Sequence, residues 1–344
     1  MSLKKFKSWW PLARRSAATP DAATANVAVF NDTRPAGHYG CDLVMHELIR
    51  LLKQPDRAGR AMQPIWFHPV GEDWRSKRDE IAGLHNLAAV IVNGEGSIHH
   101  SATRPRAVYL PEVASLARDT LNVPSFLINC TVQDIHEPVA EHLRQFAHIY
   151  VRESASQREL AQWGLQSTLV PDLTVQAELP IAPQRQGVCG TDSVLVDAAR
   201  AIRSLCQNRK WPFRSMLWKH KSPDALPAPA GSVEGMHEFA SFLSSHQLVI
   251  TGRFHAVTYC LATRTPFVAL ESNTAKISSL LRDVFGSADR VLQAIDADSF
   301  DSDQYSHWSD AEARALDAYL ASARQSTAEM FSAISAAAHH QPER

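Results

Sequence analysis

The sequence predicts an α/β protein in which two doubly wound domains face a cleft. Short apolar runs typical of parallel strands alternate with segments of helical periodicity along most of the chain. A turn-rich stretch at residues 171–186, with Pro180 and Pro183, interrupts this alternation and marks a boundary between the domains. The length of 344 residues suits two domains of ordinary size.

These boundaries divide the chain into four segments. They are a basic and aromatic tail with a linker at residues 1–25, an N-terminal domain at 26–180, a C-terminal domain at 181–308 and a helix with its tail at 309–344. The helix of the last segment is rich in alanine, and we expect it to pack back across both domains. Two facing α/β units would leave a cleft to which both contribute.

The first half contains apolar runs of the length of a buried strand. They lie at residues 27–30, 64–67, 87–92, 124–128, 149–151 and 168–170. Helical periodicity fills the intervals, at residues 42–53, 73–85, 111–121, 138–146 and 154–163. Because strands that are connected through helices cross over with a right hand, the sheet is predicted to be parallel.

The second half repeats the alternation less regularly. Strands are predicted at residues 216–218, 248–250 and 266–270, and helices at 194–206, 233–244, 275–285 and 309–337. A stretch rich in proline and alanine at residues 223–231 predicts a loop.

Composition limits the classes of partner. Lys and Arg total 35 against 36 for Asp and Glu, so no overall charge attracts nucleic acid, and any anion site must be local. The five cysteines are odd in number and include no C-x-x-C pair. This argues against a disulfide framework and a structural zinc, and it fits a reducing cytoplasm. No stretch approaches the roughly 20 apolar residues that span a bilayer.

The N-terminal segment MSLKKFKSWWPLARR is basic and carries Phe6, Trp9 and Trp10. It lacks the apolar core of a signal peptide, so we expect a cytoplasmic protein. Two interpretations of the segment stay open. Its cations could rest on the anionic inner face of the cytoplasmic membrane, with the indoles at headgroup level, or it could be a disordered tail.

The most informative stretch is residues 248–276, LVITGRFHAVTYCLATRTPFVALESNTAK. An apolar strand runs to Gly252, which permits a tight turn, and helical spacing starts at His255. Arg253 and His255 would then lie at a helix N-terminus beyond the carboxyl end of a strand, where open α/β sheets bind anions. We therefore predict a site for an acid, above all a phosphate. A solvated arginine and a capping histidine would give the same pattern.

Arg152 has the equivalent position in the first half, between the strand at 149–151 and the helix at 154–163. Glu153 offers it an ion-pair partner, which would make the pair structural. Asp172 follows the last strand of this half. It is either a helix cap, the interpretation we favour, or a catalytic carboxylate.

The strand at 87–92 leads into NGEGS, residues 93–97, which predicts a turn whose glycines let a ligand approach the backbone. Glu95 could act there as a general acid or base, or be a solvated loop carboxylate. After the first strand, His38 could contact a substrate, and Asp42 is predicted to cap the helix that follows.

Taken in order, these motifs resemble the polysaccharide pyruvyl transferase family over about residues 27–281: N-D-T, G-C-D, N-G-E-G-S, V-R-E-S, V-P-D, T-G-R-F-H-A and P-F-V-A-L-E-S-N-T-A-K. The resemblance implies a glycosyltransferase-B-like pair of Rossmann-like domains. It also implies transfer of a pyruvyl group from phosphoenolpyruvate to a sugar, which forms a ketal across two hydroxyls. The sugar would belong to a surface polysaccharide or its lipid-linked precursor.

The family holds phosphoenolpyruvate with a strand-end arginine and an R-x-H turn. The donor-binding set implied here is Arg152, Arg253, Phe254, His255, Asn273 and Lys276. The N-terminal domain would bind the acceptor sugar, with candidate contacts at Asn31, His38, Gly94, Gly96 and Ser97.

The implied reaction suits these residue types. Phosphoenolpyruvate carries a carboxylate and a phosphate, which arginines from two domains can share. His255 is the candidate proton donor to the enol methylene or partner of the phosphate, because an imidazole titrates near neutral pH. Glu95 and Asp172 are candidates for taking the proton of the acceptor hydroxyl. We expect neither a metal nor a cofactor, because cations can neutralise the donor phosphate.

Two alternatives stay open. A glycosyltransferase with a sugar-nucleotide donor, including a cytidine monophosphate-linked acidic sugar, would use the same architecture. It would need an aromatic or apolar slot for a nucleobase, for which Trp218 and His220 are candidates. A non-catalytic carbohydrate-binding protein would bind the ligands without turnover.

Overall fold

The computed structural model describes residues 24–218, 231–296 and 299–340. The first of two parallel sheets has the order β2-β1-β3-β4-β5-β6. Its strands are β1 (Thr24–Asp32), β2 (Ala61–Pro69), β3 (Ala89–His99), β4 (Ser125–Gln133), β5 (His148–Val151) and β6 (Thr168–Leu169). The predicted α/β class with parallel sheets is confirmed.

The second sheet, also parallel, has the order β10-β9-β8-β7. Its strands are β7 (Val188–Ser193), β8 (Leu248–Gly252), β9 (Phe267–Leu270) and β10 (Val291–Leu292).

Eleven α-helices lie in the described residues. They are α1 (Tyr39–Lys53), α2 (Arg78–Ala82), α3 (Pro105–Tyr109), α4 (Val113–Leu116), α5 (Glu137–Leu143), α6 (Ser154–Gln162), α7 (Val196–Arg209), α8 (Val233–Ser244), α9 (Phe254–Ala262), α10 (Lys276–Phe285) and α11 (Asp310–His339). Short 3-10 helices lie at Arg34–Ala36, Trp74–Lys77 and Leu173–Gln176, and a π-helical turn lies at Ala117–Leu121.

The first sheet is covered on both faces. Val27 and Val29 of β1 pack into one apolar cluster, whereas Ala28 and Phe30 pack into another. This alternation follows from the two-residue period of a strand. Burial on both faces explains why these strands appear as continuous apolar runs in the sequence.

Two helices pack against both sheets. In α1, Tyr39 and Leu43 join the cluster around β8 and β9, whereas Val44, Met45 and Leu48 join the cluster under β1 and β3. The two ends of α11 divide in the same way: Leu316, Leu320 and Ala323 lie in the first cluster, and Met330, Phe331 and Ile334 lie in the second. The sheets are therefore joined by shared apolar packing.

Several element predictions were wrong. Residues 216–218 form only an isolated bridge, in which Leu217 pairs with His38. The helix predicted at 111–121 is split between α4 and the π-helical turn, and that at 73–85 between a 3-10 helix and α2. Strands β7 and β10 were missed. The sequence of β7, VCGTDS, is rich in residues that strands usually avoid, so its backbone pairing with β8 decides its conformation.

The turn predicted at residues 93–97 was also wrong, because these residues continue β3. Asn93 pairs with Ile128 and Glu95 with Cys130 of β4, and pairing resumes at Ile98 after an irregularity. Long-range pairing therefore overrides the turn preference of asparagine and glycine.

The predicted tail at residues 1–25 lies almost entirely outside the described residues, and β1 already begins at Thr24. Most of the predicted loop at residues 223–231 also lies outside them, as does His220. No helix of the described ranges is long and apolar enough to cross a membrane.

Candidate active site

The site begins at the junction of β8 and α9, where Arg253 is the extended residue before the helix. A Cβ atom at Gly252 would lie 2.3 Å from Ser193 Oγ, so the close approach of β7 requires glycine there. Among the described residues, no side chain caps α9. The first N–H groups of a helix lack partners within it, and they favour an anion. The predicted strand-to-helix turn is thus present.

Arg253 is held in place by a carboxylate. Its Nη2 donates to Asp192 Oδ2 at 2.6 Å, and Asp192 also accepts hydrogen bonds from Ser215 Oγ and Met216 N. The Arg253 side chain is only 12% exposed, and its buried Nε has no hydrogen-bond partner among the described residues. A buried donor without a partner is unusual and leaves one position for a ligand.

Arg152, at the end of β5, is 2% exposed and lies in a cage of protein groups. Its Nη1 donates to Asp172 Oδ2 at 2.7 Å, and its Nε donates to Thr131 Oγ1 at 3.0 Å. The ring of Phe254, from α9, lies 4.1 Å from the guanidinium carbon. Phe254 therefore contacts the arginine that was predicted to share its ligand.

Glu153, the expected partner of Arg152, lies farther away, with an Oε2–Nε distance of 3.7 Å. Its carboxylate accepts hydrogen bonds from Thr131 Oγ1 and Ser156 Oγ. Burial raises the pKa of Glu153 to about 7, against the opposing effect of Arg152.

Asp172 has the capping role that the sequence favoured. Its Oδ1 accepts hydrogen bonds from the backbone N–H and the hydroxyl of Thr174. Its Oδ2 faces Arg152 and lies 3.6 Å from His255 Nε2. Burial alone would raise the pKa of this carboxyl, but the neighbouring His255 and the charge of Arg152 hold it well below its ordinary value.

His255 is buried in α9 between the two sheets. Its Nε2 makes no regular hydrogen bond in the described residues, and Asp172 is its near carboxylate. A Cβ atom at Gly40 would lie 2.3 Å from the His255 Cβ, so the first turn of α1 packs directly against this side chain. The ring also meets the edge of His38, at a centroid distance of 5.6 Å.

His38, and not the predicted Asp42, caps α1. The Nδ1 of His38 accepts from the N–H groups of Gly40 and Cys41, because the helix begins at Tyr39. Burial and the charge of His255 lower the pKa of His38, which favours the neutral form that can accept these bonds. Asp42 lies within the helix and accepts a 2.5 Å hydrogen bond from Trp218 Nε1.

This bond gives the indole of Trp218 a structural partner in α1. Burial raises the pKa of the Asp42 carboxyl to about 7, although the bond from Trp218 opposes the shift.

His38, Cys41 and His255 each place a potential metal-ligating atom within 4.8 Å of the others. Because α1 and α9 are far apart in the sequence, no local pattern indicated this cluster. The Nδ1 lone pair of His38 is engaged by two backbone N–H groups, and burial raises the pKa of the Cys41 thiol. In this arrangement, both groups are neutral and hold the fold together.

Glu95 is not a solvated loop carboxylate, as one interpretation held. It is 5% exposed and accepts hydrogen bonds from Thr33 Oγ1 at 2.5 Å and Asn93 Nδ2 at 3.0 Å, and the Cys41 thiol lies 3.3 Å away. Its φ angle of 36° lies in the left-handed region that non-glycine residues rarely adopt. Such a backbone is typical of a residue whose orientation matters.

The other acceptor-side candidates separate into two groups. Asn31 donates to Asn93 O and to Ser97 Oγ, so Asn31 and Ser97 tie β1 to β3. A Cβ atom at Gly94 would lie 2.6 Å from the Cys130 side chain, which is a packing requirement. A Cβ atom at Gly96 would instead lie 3.6 Å from Lys276 Nζ and 3.8 Å from Arg152 Nη2. Gly96 therefore faces two cations from different sheets.

Lys276 is the first residue of α10, and its Nζ donates to Asn273 Oδ1 at 3.0 Å. It is only 9% exposed. Burial and then the charge of Arg152 lower the pKa of Lys276 to about 7. Two predicted donor-side residues thus contact each other directly.

Sequence reasoning missed three positions around the site. Thr131 follows the predicted strand at 124–128, so a strand-end signal was available. Asp192 lies in the missed strand β7. Asp283, in α10, accepts from Ser154 N at 2.8 Å and so caps α6, a contact between distant helices that no local pattern signals.

One of three comparisons with known proteins identifies a family for this chain. The family model described as polysaccharide pyruvyl transferase matches residues 38–274, which is more than half of the chain. A search of curated protein sequences gives no match. Among solved structures, a functionally uncharacterised protein from Klebsiella pneumoniae is similar, with a TM-score of 0.45 and 10% identity over 78% of this chain and 92% of the other.

The matched range begins at the histidine that caps α1 and ends beside the asparagine that contacts Lys276. It includes Arg152 and the whole Arg253 to His255 turn. The chain therefore belongs to the polysaccharide pyruvyl transferase family.

Proposed function

We propose that this transferase moves a pyruvyl group from phosphoenolpyruvate to a sugar of a surface polysaccharide or its lipid-linked precursor, and forms a ketal. The observation that carries the proposal is the open position at Gly96, which faces both Lys276 Nζ and Arg152 Nη2. The charge of Arg253 also acts on Lys276, so three cationic side chains are close enough together to bind a small ligand with two or three negative charges. Membership of the family supports the same reaction.

The two anionic groups of phosphoenolpyruvate fit two parts of the site. The phosphate would lie at the N-terminus of α9, with the unpartnered Nε of Arg253 as a donor. The carboxylate would lie above Gly96, between Lys276 and the outer nitrogen of Arg152. Because Asp172 and Thr131 already fix the guanidinium of Arg152, it needs no reorganisation when the donor binds.

His255 is the proposed proton donor to the enol methylene. Its Nε2 lies 3.6 Å from Asp172 Oδ2 and has no hydrogen-bond partner among the described residues, so this ring nitrogen is available to the donor. Protonation converts the methylene to a methyl group and leaves an oxocarbenium-like carbon, which the first sugar hydroxyl attacks. Phosphate then leaves this carbon, and the second hydroxyl attacks it to close the ketal.

The proton balance gives Glu95 its role. Two hydroxyl protons leave the acceptor. One of them restores to the enzyme the proton that was given to the methylene, and the other leaves with the phosphate. Glu95 lies on β3 beside Thr33 and Cys41, on the side of the site formed by the first sheet, and is the proposed first acceptor of a hydroxyl proton. Its three contacts fix the carboxylate in one orientation.

We also propose that the enzyme acts in the cytoplasm, and that its basic N-terminal tail holds it at the inner face of the membrane. The cations and tryptophans of residues 1–15 support this contact. Flotation with anionic vesicles, comparing the full chain with one that lacks residues 1–23, tests it. Equal recovery of both chains with the vesicles would contradict it.

Calorimetric titration tests the reaction class. Phosphoenolpyruvate, cytidine nucleotides and uridine nucleotides are titrated separately into the wild type, Arg253→Ala and the exposed control Arg78→Ala. We expect phosphoenolpyruvate alone to bind, and Arg253→Ala to weaken it by about 10- to 100-fold, since hydrogen bonds to charged groups contribute about 1.5–3 kcal/mol. Binding of a nucleotide without phosphoenolpyruvate would overturn the proposal in favour of a sugar-nucleotide donor.

A further inference from the structure

Two arginines just after β3 lack a carboxylate partner. Arg104 precedes α3 and Arg106 lies in its first turn, and both are half-buried. Within the described ranges, no Asp or Glu makes a salt bridge with either of them. Other arginines of the first half, such as Arg75 and Arg118, pair with a neighbouring aspartate. The pair at 104 and 106 therefore carries an uncompensated positive charge.

The hydrogen bond of Arg104 does not neutralise this charge. Its Nη1 contacts the ring of His99, at the end of β3. Burial, and then the charge of Arg104, lower the pKa of His99 to about 3, so the ring is neutral. Burial and then the charge of Arg106 lower the pKa of Arg104 itself. Two half-buried like charges raise the free energy of the unliganded protein, and a bound anion would relieve this cost.

A chain of contacts connects the pair with the donor side of the site. His99 Nε2 lies 3.4 Å from Asn273 Nδ2, and Asn273 Oδ1 accepts from Lys276 Nζ. Arg106 lies on the same edge of the first sheet, since a Cβ atom at Gly71, just after β2, would be 3.6 Å from its Nη2. Arg104 is thus three contacts away from Lys276, and Arg106 is close enough to Arg104 for its charge to act on it.

We propose that Arg104 and Arg106 form a second anion subsite, which binds a phosphate or diphosphate group carried by the acceptor sugar. The inference rests on the proposed function, because it assigns the acceptor to this side of the site. Guanidinium groups bind phosphate oxygens through paired hydrogen bonds, and two of them suit a diphosphate. The acceptor is therefore a glycosyl phosphate, and an uncharged glycan is a poor substrate.

Inorganic pyrophosphate is the probe for the subsite. It is titrated calorimetrically in the presence of saturating phosphoenolpyruvate, so that the donor site is occupied. We expect Arg106→Ala and Arg104→Lys to weaken pyrophosphate binding at least tenfold, and Arg78→Ala to leave it unchanged. Arg106→Ala removes no hydrogen bond found within the described residues, so it should fold normally. Equal affinity in all four proteins would overturn the subsite.

Titration of phosphoenolpyruvate alone separates this result from the reaction class. If phosphoenolpyruvate does not bind the wild type, the proposed function fails. Pyrophosphate is then titrated without it into the wild type, Arg104→Lys, Arg106→Ala and Arg78→Ala, and the same tenfold effect decides whether the subsite exists. If phosphoenolpyruvate binds every variant equally and the affinity for pyrophosphate is the same in Arg104→Lys, Arg106→Ala and the wild type, only the subsite fails.

Two further ligands, glucose 1-phosphate and micelles of dodecyl phosphate, distinguish a soluble acceptor from a lipid-linked one. Tighter binding of glucose 1-phosphate, lost in Arg106→Ala, supports a soluble acceptor. Tighter binding of the micelles, lost in the same variant, supports a lipid-linked acceptor. Failure of both ligands to depend on Arg106 would contradict the subsite.

Discussion

Arg152 Nη1 and Asp172 Oδ2 form a 2.7 Å ion pair in which both side chains are almost fully buried. The pair lies where β5 and β6 end, and α9 covers it with the ring of Phe254 and the edge of His255. Arg152, Asp172 and His255, which were all predicted to act on substrates, thus lie in one cluster. Because Arg152 is so deeply buried, its removal is expected to destabilise the fold.

Arg152→Ala is expected to lower the free energy of unfolding by about 3–5 kcal/mol, because it leaves the buried carboxylate of Asp172 without its partner. Urea denaturation followed by circular dichroism measures the loss. Arg78→Ala, an exposed arginine of the same sheet region, is the control and should stay within about 0.5 kcal/mol of the wild type. If the two midpoints coincide, the ion pair contributes little to stability.

Gly94 and Gly96 offer a matched pair of substitutions on one strand. Gly96→Ala places its methyl group at ordinary contact distance from Lys276 and Arg152, so the protein should keep its stability but lose affinity for phosphoenolpyruvate at least tenfold. Gly94→Ala collides with Cys130 and should destabilise the fold by about 1–3 kcal/mol. Thermal unfolding and calorimetry on both variants distinguish these effects. Unchanged affinity of Gly96→Ala for phosphoenolpyruvate would show that the donor does not bind beside this residue.

The pKa of Lys276 predicts proton uptake when the donor binds. Its value of about 7 means that the amine is largely neutral at pH 8 in the free protein. A bound anion favours the charged form and raises the pKa, so phosphoenolpyruvate should bring a proton with it. Calorimetry at pH 8 in buffers with different ionisation enthalpies counts the protons, and Lys276→Gln is the comparison. Identical enthalpies in all buffers for the wild type would show that the lysine does not meet the donor.

The same lysine should affect stability as a function of pH. Between about pH 7 and its ordinary pKa of 10.5, the unfolded chain holds a proton that the folded chain has released. Stability rises with pH wherever the unfolded state binds more protons, so Lys276 contributes a rise of up to about 1.4 kcal/mol per pH unit. Urea denaturation from pH 7 to 9 should therefore be steeper in pH for the wild type than for Lys276→Met. Parallel curves would contradict the lowered pKa.

Local patterns predicted the strand-to-helix turns well. The apolar strand before Gly252 and the helical spacing from His255 are visible in sequence, and so is the position of Arg152 after a strand. Strand β7 was not predictable, because its glycine, aspartate and serine favour turns, and only pairing with β8 makes the segment a strand.

The partners of the charged residues were equally hidden. Arg253 pairs with Asp192, and His255 approaches Asp172, across long stretches of chain. Local preference for turns also concealed the continuation of β3 through Glu95, which pairing with β4 imposes. Periodicity reports which face of an element is buried, whereas contacts between elements depend on how the whole chain packs.

The first turn of α1 inserts Tyr39 and Leu43 into the apolar cluster of the second sheet, and Gly40 packs against His255. A gene fusion that joined the first half of this enzyme to the second half of a relative would therefore need a compatible first turn of α1 in one parent and a matching α8 and α9 in the other. The two halves thus share one packed interface, and exchange of segments between relatives should preserve the fold more readily through loops at the strand ends than through whole halves.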